Sequence, residues 1–304
     1  MSDNKAIFRS GFVALIGKPN VGKSTLLNAI VGQKVAITSS KPQTTRRRVL
    51  GVHHGRNRQI VFVDTPGFLR ETHNRLGEMM LESAKTEGQE ADIVAFLADC
   101  TQPPSEDDRK VCGFLNEISV PKVLVLNKID LVPDQEEQQK RLQEYSGLAQ
   151  FKKAFLVSAY RNVRVRGLVN YLGQQLPEGC PYFPPEQVSD QNNQLLAEEI
   201  IREKLLRNTG QEVPHAVAVL VEEYRPTDKP DLQYMRAVIF VEREGQKNII
   251  LGDGGKRLKR IGSQARADLE PIVGKRIYLD LWVKVKENWR DRSDWLRALG
   301  YDGL

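Results

Sequence analysis

An apolar run, FVALI at 12–16, leads directly into GKPNVGKST at 17–25, and a stretch with helical spacing follows over 24–31. Few short strings restrict a fold so tightly. The spacing G-x-x-x-x-G-K-S lets backbone N–H groups near Gly17 and Gly22 turn inward toward phosphate oxygens, which the following helix N-terminus also attracts. Lys23 brings a cation to the β- and γ-phosphates, and the Ser24 hydroxyl is placed to ligate Mg²⁺. Asn20, Val21 and Thr25 complete the candidate cradle. The rival reading is a glycine turn without a ligand. The bare pattern arises by chance in about one chain in a hundred, and here it has the strand before it and the helix after it that the chemistry needs. The chain is expected to bind a nucleoside triphosphate.

The residues around this loop predict an α/β domain. Candidate strands at 12–16, 48–53, 59–64, 92–99, 122–127 and 154–158 alternate with helical patterns at 24–31, 75–85, 106–116 and 135–145. VLVLN at 123–127 is continuously apolar, as a strand buried on both faces should be. Such alternation predicts a mostly parallel sheet with helices on both faces, the runs 48–53 and 59–64 forming one antiparallel hairpin. The pattern stops near residue 177. LPEGCPYFPPEQ at 176–187 holds four prolines and a glycine, which is linker chemistry. Beyond it a helix at 194–207, strands at 216–223 and 233–242, a glycine turn at 252–255 flanked by short helices and a strand at 276–285 read as a smaller α+β module. The expected division is 1–178, a linker at 179–190, and 191–304 ending in a C-terminal tail.

Two later motifs bear on the base. DTPG at 64–67 closes the strand QIVFVD, so Asp64 can hold Mg²⁺ directly or through water and Gly67 can offer a backbone N–H to the γ-phosphate. NKID at 127–130 closes the strand KVLVL, at the carboxyl end of the sheet where ligands bind. There the Asp130 carboxylate can accept from both N1–H and the exocyclic amine of guanine, beside Asn127 and Lys128. Adenine offers neither proton, and sites built on such a polar pair reject the analogue lacking it. NKID alone is weak; its order after the two phosphate motifs makes guanine the expected base.

These motifs together resemble a translation-factor-class GTPase. The resemblance implies that Ser158 and Ala159, in VSAY, back the guanine, although Tyr160, Arg161 and Asn162 replace the usual continuation. It puts KPQTTRRR (41–48) in the first switch loop, where Thr45, in preference to Thr44, closes over Mg²⁺. Lys23, Thr45, Asp64 and Gly67 then form the catalytic set. Phe68 stands where Ras-like enzymes carry a water-orienting glutamine, so slow intrinsic turnover is expected. In related enzymes an asparagine at the position of Asn20 helps bind a monovalent cation, which here makes K⁺ a candidate cofactor beside GTP/GDP and Mg²⁺.

The chain carries 45 Lys+Arg against 39 Asp+Glu, a net charge of +6, which suits nucleic acid or an anionic surface without selecting either. Within 191–304 the excess is local. The segment 248–266 sets Lys256, Arg257, Lys259, Arg260 and Arg266 against Asp253, and Gly252, Asp253, Gly254 and Gly255 form a GxxG turn. A lone GxxG means little. Between an apolar run and a basic helix, it resembles the clamp by which KH domains hold about four nucleotides of single-stranded RNA. A solvated basic helix face is the bland alternative.

A GTPase domain followed by a KH-like module resembles the bacterial Era family across nearly the whole chain. Supporting strings include PNVGKSTLLNAIVGQK, KPQTTR, VDTPG, EIIREKLLR, VEREGQK and LWVKVKENW. The resemblance implies a type II KH domain, binding to the 3′ end of 16S ribosomal RNA, action in small-subunit maturation, and RNA affinity set by nucleotide state. RNA contacts are expected at Gly252–Gly255 and at Lys256, Arg257, Lys259 and Arg260. A monomer is expected. No apolar run spans a bilayer and the N-terminus has no apolar leader, so the expected location is cytoplasmic, with peripheral contact at the inner membrane face. Cys100, Cys112 and Cys180 lack metal-ligand spacing and read as reduced, buried thiols. Two rivals remain: a GTP-controlled scaffold whose second domain binds protein or membrane, and a P-loop kinase, which NKID opposes.

Overall fold

The computed structural model describes residues 7–39, 41, 44–68, 74–210, 213 and 216–301. The first domain is built on a six-stranded sheet. Its strands are β1 (Arg9–Ile16), β2 (Val49–Gly55), β3 (Arg58–Asp64), β4 (Ile93–Asp99), β5 (Lys122–Asn127) and β6 (Lys153–Leu156), in the order β2-β3-β1-β4-β5-β6. Only β2 runs antiparallel, as the hairpin partner of β3. Helices α1 (Lys23–Val31) and α5 (Val165–Gln175) bury Leu26, Leu27, Ile30, Leu168 and Leu172 on one face. On the other face α2 (Arg75–Glu90), α3 (Glu106–Glu117) and α4 (Gln135–Ser146) bury Ala84, Val111, Leu115 and Tyr145. The strand order reverses direction between β1 and β4, which places a ligand crevice at their carboxyl ends.

Residues 177–190 differ from a free linker. Gln59, buried on β3 beside the edge strand β2, accepts from the N–H groups of Tyr182 and Phe183 at 2.7 and 3.0 Å and donates to the Phe183 carbonyl at 2.7 Å. Val52 N–H donates to the Val188 carbonyl at 2.9 Å. The segment bends at 182–183 and turns at 185–186, and Gln59 together with the free edge of β2 supplies its partners, so it lies as a strap along the sheet.

The second domain comprises α6 (Asn193–Asn208), β7 (Ala218–Pro226), β8 (Leu232–Val241), α7 (Glu244–Leu251), α8 (Lys256–Val273), β9 (Arg276–Val285) and the short α9 (Ser293–Ala298). Its sheet is ordered β7-β8-β9, with β7 antiparallel and β9 parallel to β8. Residues such as Val219, Met235, Ile239 and Ile277 point inward and pack on Ile200, Ile261 and Leu269 of α6 and α8. A bulge between Val221 and Glu223 reverses the alternation of β7, turning Glu223 and Arg225 to the outer face. Part of that face is covered by Trp289, Leu296 and Tyr301 together with Leu76 and Met80 of α2, which joins the domains through an apolar contact.

The element order agrees with the pattern read from the sequence, with α5 and α9 added. Cys100 and Cys112 are buried, and burial pushes their thiols up, to about 11 and about 12. Cys180 departs from expectation: it lies in the strap and is exposed. Among the described residues, no helix is long and apolar enough to cross a membrane.

Candidate functional site

The loop between β1 and α1 closes tightly because two of its positions tolerate no side chain. A Cβ on Gly17 would lie 2.3 Å from the Leu97 carbonyl, and one on Gly22, at φ +100°, would lie 2.4 Å from Asn127 Nδ2. Lys23 folds back over the loop, donating to the carbonyls of Gly17 and Lys18 at 3.1 and 3.2 Å. Burial lowers its pKa to about 8, against the opposing pull of Asp64. An ammonium held this way is oriented toward the loop interior and gains most when a polyanion enters.

Beside it three oxygens converge. Ser24 Oγ donates to Asp64 Oδ2 at 2.6 Å and lies 2.9 Å from Thr45 Oγ1, which in turn is 3.4 Å from Asp64 Oδ2. Thr44 behaves differently, donating to the Lys41 carbonyl at 2.6 Å. Burial raises Asp64 to about 6, with Lys23 and the two hydroxyls opposing the shift. Its second oxygen, Oδ1, is buried without a hydrogen-bond partner. Two hydroxyls around a buried, half-satisfied carboxylate fit a hard cation such as Mg²⁺, which takes few protein ligands and completes its shell with phosphate and water. The adjoining cavity, of about 360 Å³, is lined by residues including Asn20, Lys23, Ser24, Thr45, Gly67 and Lys128. Val21 is buried below the loop, and Thr25 also lines the cavity. Asn20 holds a positive φ of 65°.

Gly67 sits against Pro19, and Phe68 N–H donates to the Gly17 carbonyl at 3.0 Å, tying this strand end to the phosphate loop. The Phe68 ring is buried and stacks on Phe114 at 5.7 Å between centroids. It therefore faces the core and offers no polar group to a water molecule.

Asn127 organises the base end. Its Nδ2 donates to the Val21 carbonyl and its Oδ1 accepts from Ala159 N–H, both at 2.9 Å, so one buried side chain joins three loops. Ser158 is buried and its Oγ accepts from Arg161 N–H at 3.0 Å. Asp130 is exposed, free to receive a base edge. Lys128 adopts φ 68° and its Nζ donates to Asp99 Oδ2 at 2.6 Å. Asp99, which also accepts from Thr101, is a positioning residue that no sequence motif pointed to. Its place at the end of β4, level with Asn127 on β5, was the available signal.

In the second domain, Gly252, Gly254 and Gly255 all have positive φ (65°, 56° and 78°), so the turn between α7 and α8 takes a course that side chains would resist. Asp253, Lys256, Lys259 and Arg260 are exposed around it. Arg257 is half-buried: its stem lies under Gly252 and its Nη1 turns back to the Ile249 carbonyl, bracing the turn from beneath. The half-buried Ile249, Leu258, Leu281 and Val283 form an apolar floor. β9, which brings Leu281 and Val283 to this floor, is an edge strand of the sheet.

The two sites meet through the first switch segment; Pro42 and Gln43 within it lie outside the described residues. Arg46 is buried and its Nη1 donates to the Val217 carbonyl at 2.6 Å. Arg47 pairs with Glu198 of α6 at 2.9 Å. Arg202 of α6 donates to the Thr44 carbonyl, next to the Thr45 that faces Ser24.

Comparison with known proteins follows this geometry. Residues 12–128 match the model of the 50S ribosome-binding GTPase family, and residues 212–290 match the KH domain model. The chain is 45% identical over 294 residues to GTPase Era of Carboxydothermus hydrogenoformans, covering 97% of this chain and 98% of the relative. Among solved structures it is similar to a point variant of Aquifex aeolicus Era bound to GDP·AlF4⁻, with a TM-score of 0.93, 40% identity, and coverage of 97% and 99% of the two chains. An Era complex with MgGDPNP and nucleotides 1506–1542 of 16S ribosomal RNA gives a TM-score of 0.94, also at 40% identity and the same coverage.

Proposed function

The chain belongs to the Era family of GTPases, and from that premise we propose that it is a GTP-driven switch on the 3′ end of 16S ribosomal RNA. It is a GTPase that uses GTP, GDP and Mg²⁺. In our reading it engages the RNA region corresponding to nucleotides 1506–1542 through its KH domain while GTP is bound. It then releases that RNA after hydrolysis and so paces small-subunit maturation.

Lys23 and the backbone N–H groups of residues 20–25 hold the phosphates, and Ser24, Thr45 and Asp64 hold the metal. Bound Mg²⁺ neutralises charge developing on the β- and γ-phosphate oxygens. Gly67 N–H marks the γ-phosphate, and Asn127, Lys128, Asp130, Ser158 and Ala159 select guanine. Because Phe68 is committed to the core, water must be oriented from elsewhere, which makes intrinsic turnover slow. K⁺ beside Asn20 is part of this reading.

One observation supports the switch most directly. The segment that carries Thr45 to Ser24 is the segment that Arg202, Glu198 and Val217 of the second domain grip. Losing the γ-phosphate frees Thr45, and the freed segment changes how the domains pack, because a nucleotide shifts RNA affinity only through contacts that differ between states. RNA contacts are assigned to Gly252–Gly255, Lys256, Lys259 and Arg260. The location is cytoplasmic, the working form a monomer, and peripheral membrane contact is checked by flotation with anionic vesicles.

Crosslinking the GTP-loaded protein to total cellular RNA tests the proposal. Crosslinks concentrated at the 3′ end of 16S RNA and absent with GDP support it. Crosslinks spread over unrelated RNA, or equal in both nucleotide states, contradict it.

A further inference from the structure

The RNA segment assigned above is many times longer than the about four nucleotides a GxxG turn clamps. A segment of that length extends beyond the groove between that turn and β9 and can reach other surfaces of the protein. The outer face of the second sheet, opposite its helices, carries a feature that the GTPase and GxxG chemistry leaves unused.

Planar groups line up across its three strands. The Arg225 guanidinium of β7 lies 4.8 Å from the centroid of the Tyr234 ring on β8. Tyr234 stacks on Tyr278 of the edge strand β9, with centroids 5.9 Å apart and planes 15° from parallel. Tyr278 is 61% exposed. Four residues along β9, Trp282 is 56% exposed. Between them Asp280 accepts from Trp282 Nε1 at 3.0 Å and from the Tyr234 hydroxyl at 3.2 Å, so one carboxylate fixes both rings. Trp282 is held open to water by its bond to Asp280 and Tyr278 by its stack on Tyr234, and exposed rings of this size mark a surface that something covers.

The charges nearby are satisfied within the sheet. Arg225 and Arg236 pair with Glu223, and Lys284 with Glu222. Such a face offers stacking and few free cations. That chemistry suits unpaired bases, as on sheet-borne RNA platforms where aromatic rings take two or three of them. Its position fits too. Inward-facing Leu281 and Val283 of β9 line the GxxG groove while outward-facing Tyr278 and Trp282 form the platform, so RNA leaving the groove needs only to cross the edge strand.

We propose that Tyr278 and Trp282 form a second RNA-binding surface, on which unpaired bases of the same RNA stack after the strand passes over the edge of β9. At about 3.3 Å per residue the two rings stand ~13 Å apart along the strand, giving two separate stacking stations.

This inference rests on the RNA-binding reading, and the experiment separates the two. Binding of the full chain with GDPNP is measured to two RNAs: the whole 16S 3′-terminal segment, and a ten-nucleotide single strand sized for the groove alone. Tyr278→Ala with Trp282→Ala should weaken binding of the long RNA by about tenfold or more. The same pair should leave the short RNA, GTP turnover and the salt dependence unchanged. Tyr278→Phe with Trp282→Phe should restore long-RNA affinity, since stacking needs the ring and not its polar atom. Long-RNA affinity unaltered in the Ala pair overturns the platform, and so does equal loss on both RNAs. If the native protein binds neither RNA, the RNA-binding reading falls and takes the platform with it.

Discussion

Arg46 of the first switch segment donates a hydrogen bond to the backbone carbonyl of Val217, 171 residues away in the second domain, at 2.6 Å and out of contact with water. A guanidinium buried this deeply is costly unless its partners stay in place. Its neighbours make the same crossing, since Arg47 pairs with Glu198 and Arg202 reaches the Thr44 carbonyl. Hydrogen bonds to charged groups contribute about 1.5–3 kcal/mol each. Replacing Arg46 or Arg202 with methionine should therefore lower stability by about 2 kcal/mol. It should also bring RNA affinities in the GTP-analogue and GDP states toward each other, which parallel titrations of the two variants check.

The buried carboxylate assigned to the metal should weigh on the protein without that metal. Asp64 is raised from 3.8 to about 6 by burial. The folded state therefore binds a proton that the unfolded state has released between those values, and stability falls as pH rises through that window. Asp64→Asn removes the cost. The nucleotide-free variant should melt higher than the native protein at about pH 7.5, by an amount worth at most ~3 kcal/mol. Loss of the attraction between Asp64 and Lys23 makes the gain smaller. The difference should shrink toward about pH 4, and the Mg²⁺-GTP stabilisation should vanish. Calorimetry across that pH range checks all three.

Asn127 and Asp130 should fail in different ways. Asn127→Ala strands the Val21 carbonyl and Ala159 N–H, each held at 2.9 Å, and loosens three loops together. Leaving buried groups unpaired costs about 1–3 kcal/mol each, so guanine nucleotides should bind roughly a hundredfold more weakly with no new preference. Asp130→Asn exchanges one of the two exposed acceptor oxygens for an amide donor and should move preference toward xanthosine triphosphate. Competition titrations distinguish these outcomes.

With Phe68 packed on Phe114, water must be organised without a side chain from that position. If a monovalent cation beside Asn20 contributes, hydrolysis should run about tenfold faster in K⁺ than in Na⁺, and Asn20→Ala should erase the difference. Equal rates in both salts would rule the cation out.

Local chemistry was the legible part of this chain. GKPNVGKST, DTPG and NKID each need particular residues at fixed spacing on a strand end, and those strand ends converge in the fold. The helix Val165–Gln175 also left a signal, because Val165, Leu168, Val169 and Leu172 recur at helical spacing and are buried. Gly167 and Gly173 obscured it. Other features depend on partners distant in sequence. Nothing in KPQTTRRR says that Arg46 is buried or that Arg47 meets Glu198, and the prolines of 177–187 did not reveal that Gln59 would fasten them. Arg257 looked like its basic neighbours until the turn above it was seen to rest on its stem. The outward aromatics of β9 alternate with groove-lining residues as in any half-buried strand, so only the sheet order shows that they stand at an edge.

The measurement that bears most directly on this account is the affinity of the intact protein for the 16S 3′-terminal RNA with GDPNP and, separately, with GDP. We predict binding at least tenfold tighter with GDPNP, with the ratio collapsing in Arg202→Met. Equal affinities in the native protein would mean that the grip on the first switch segment does not transmit nucleotide state.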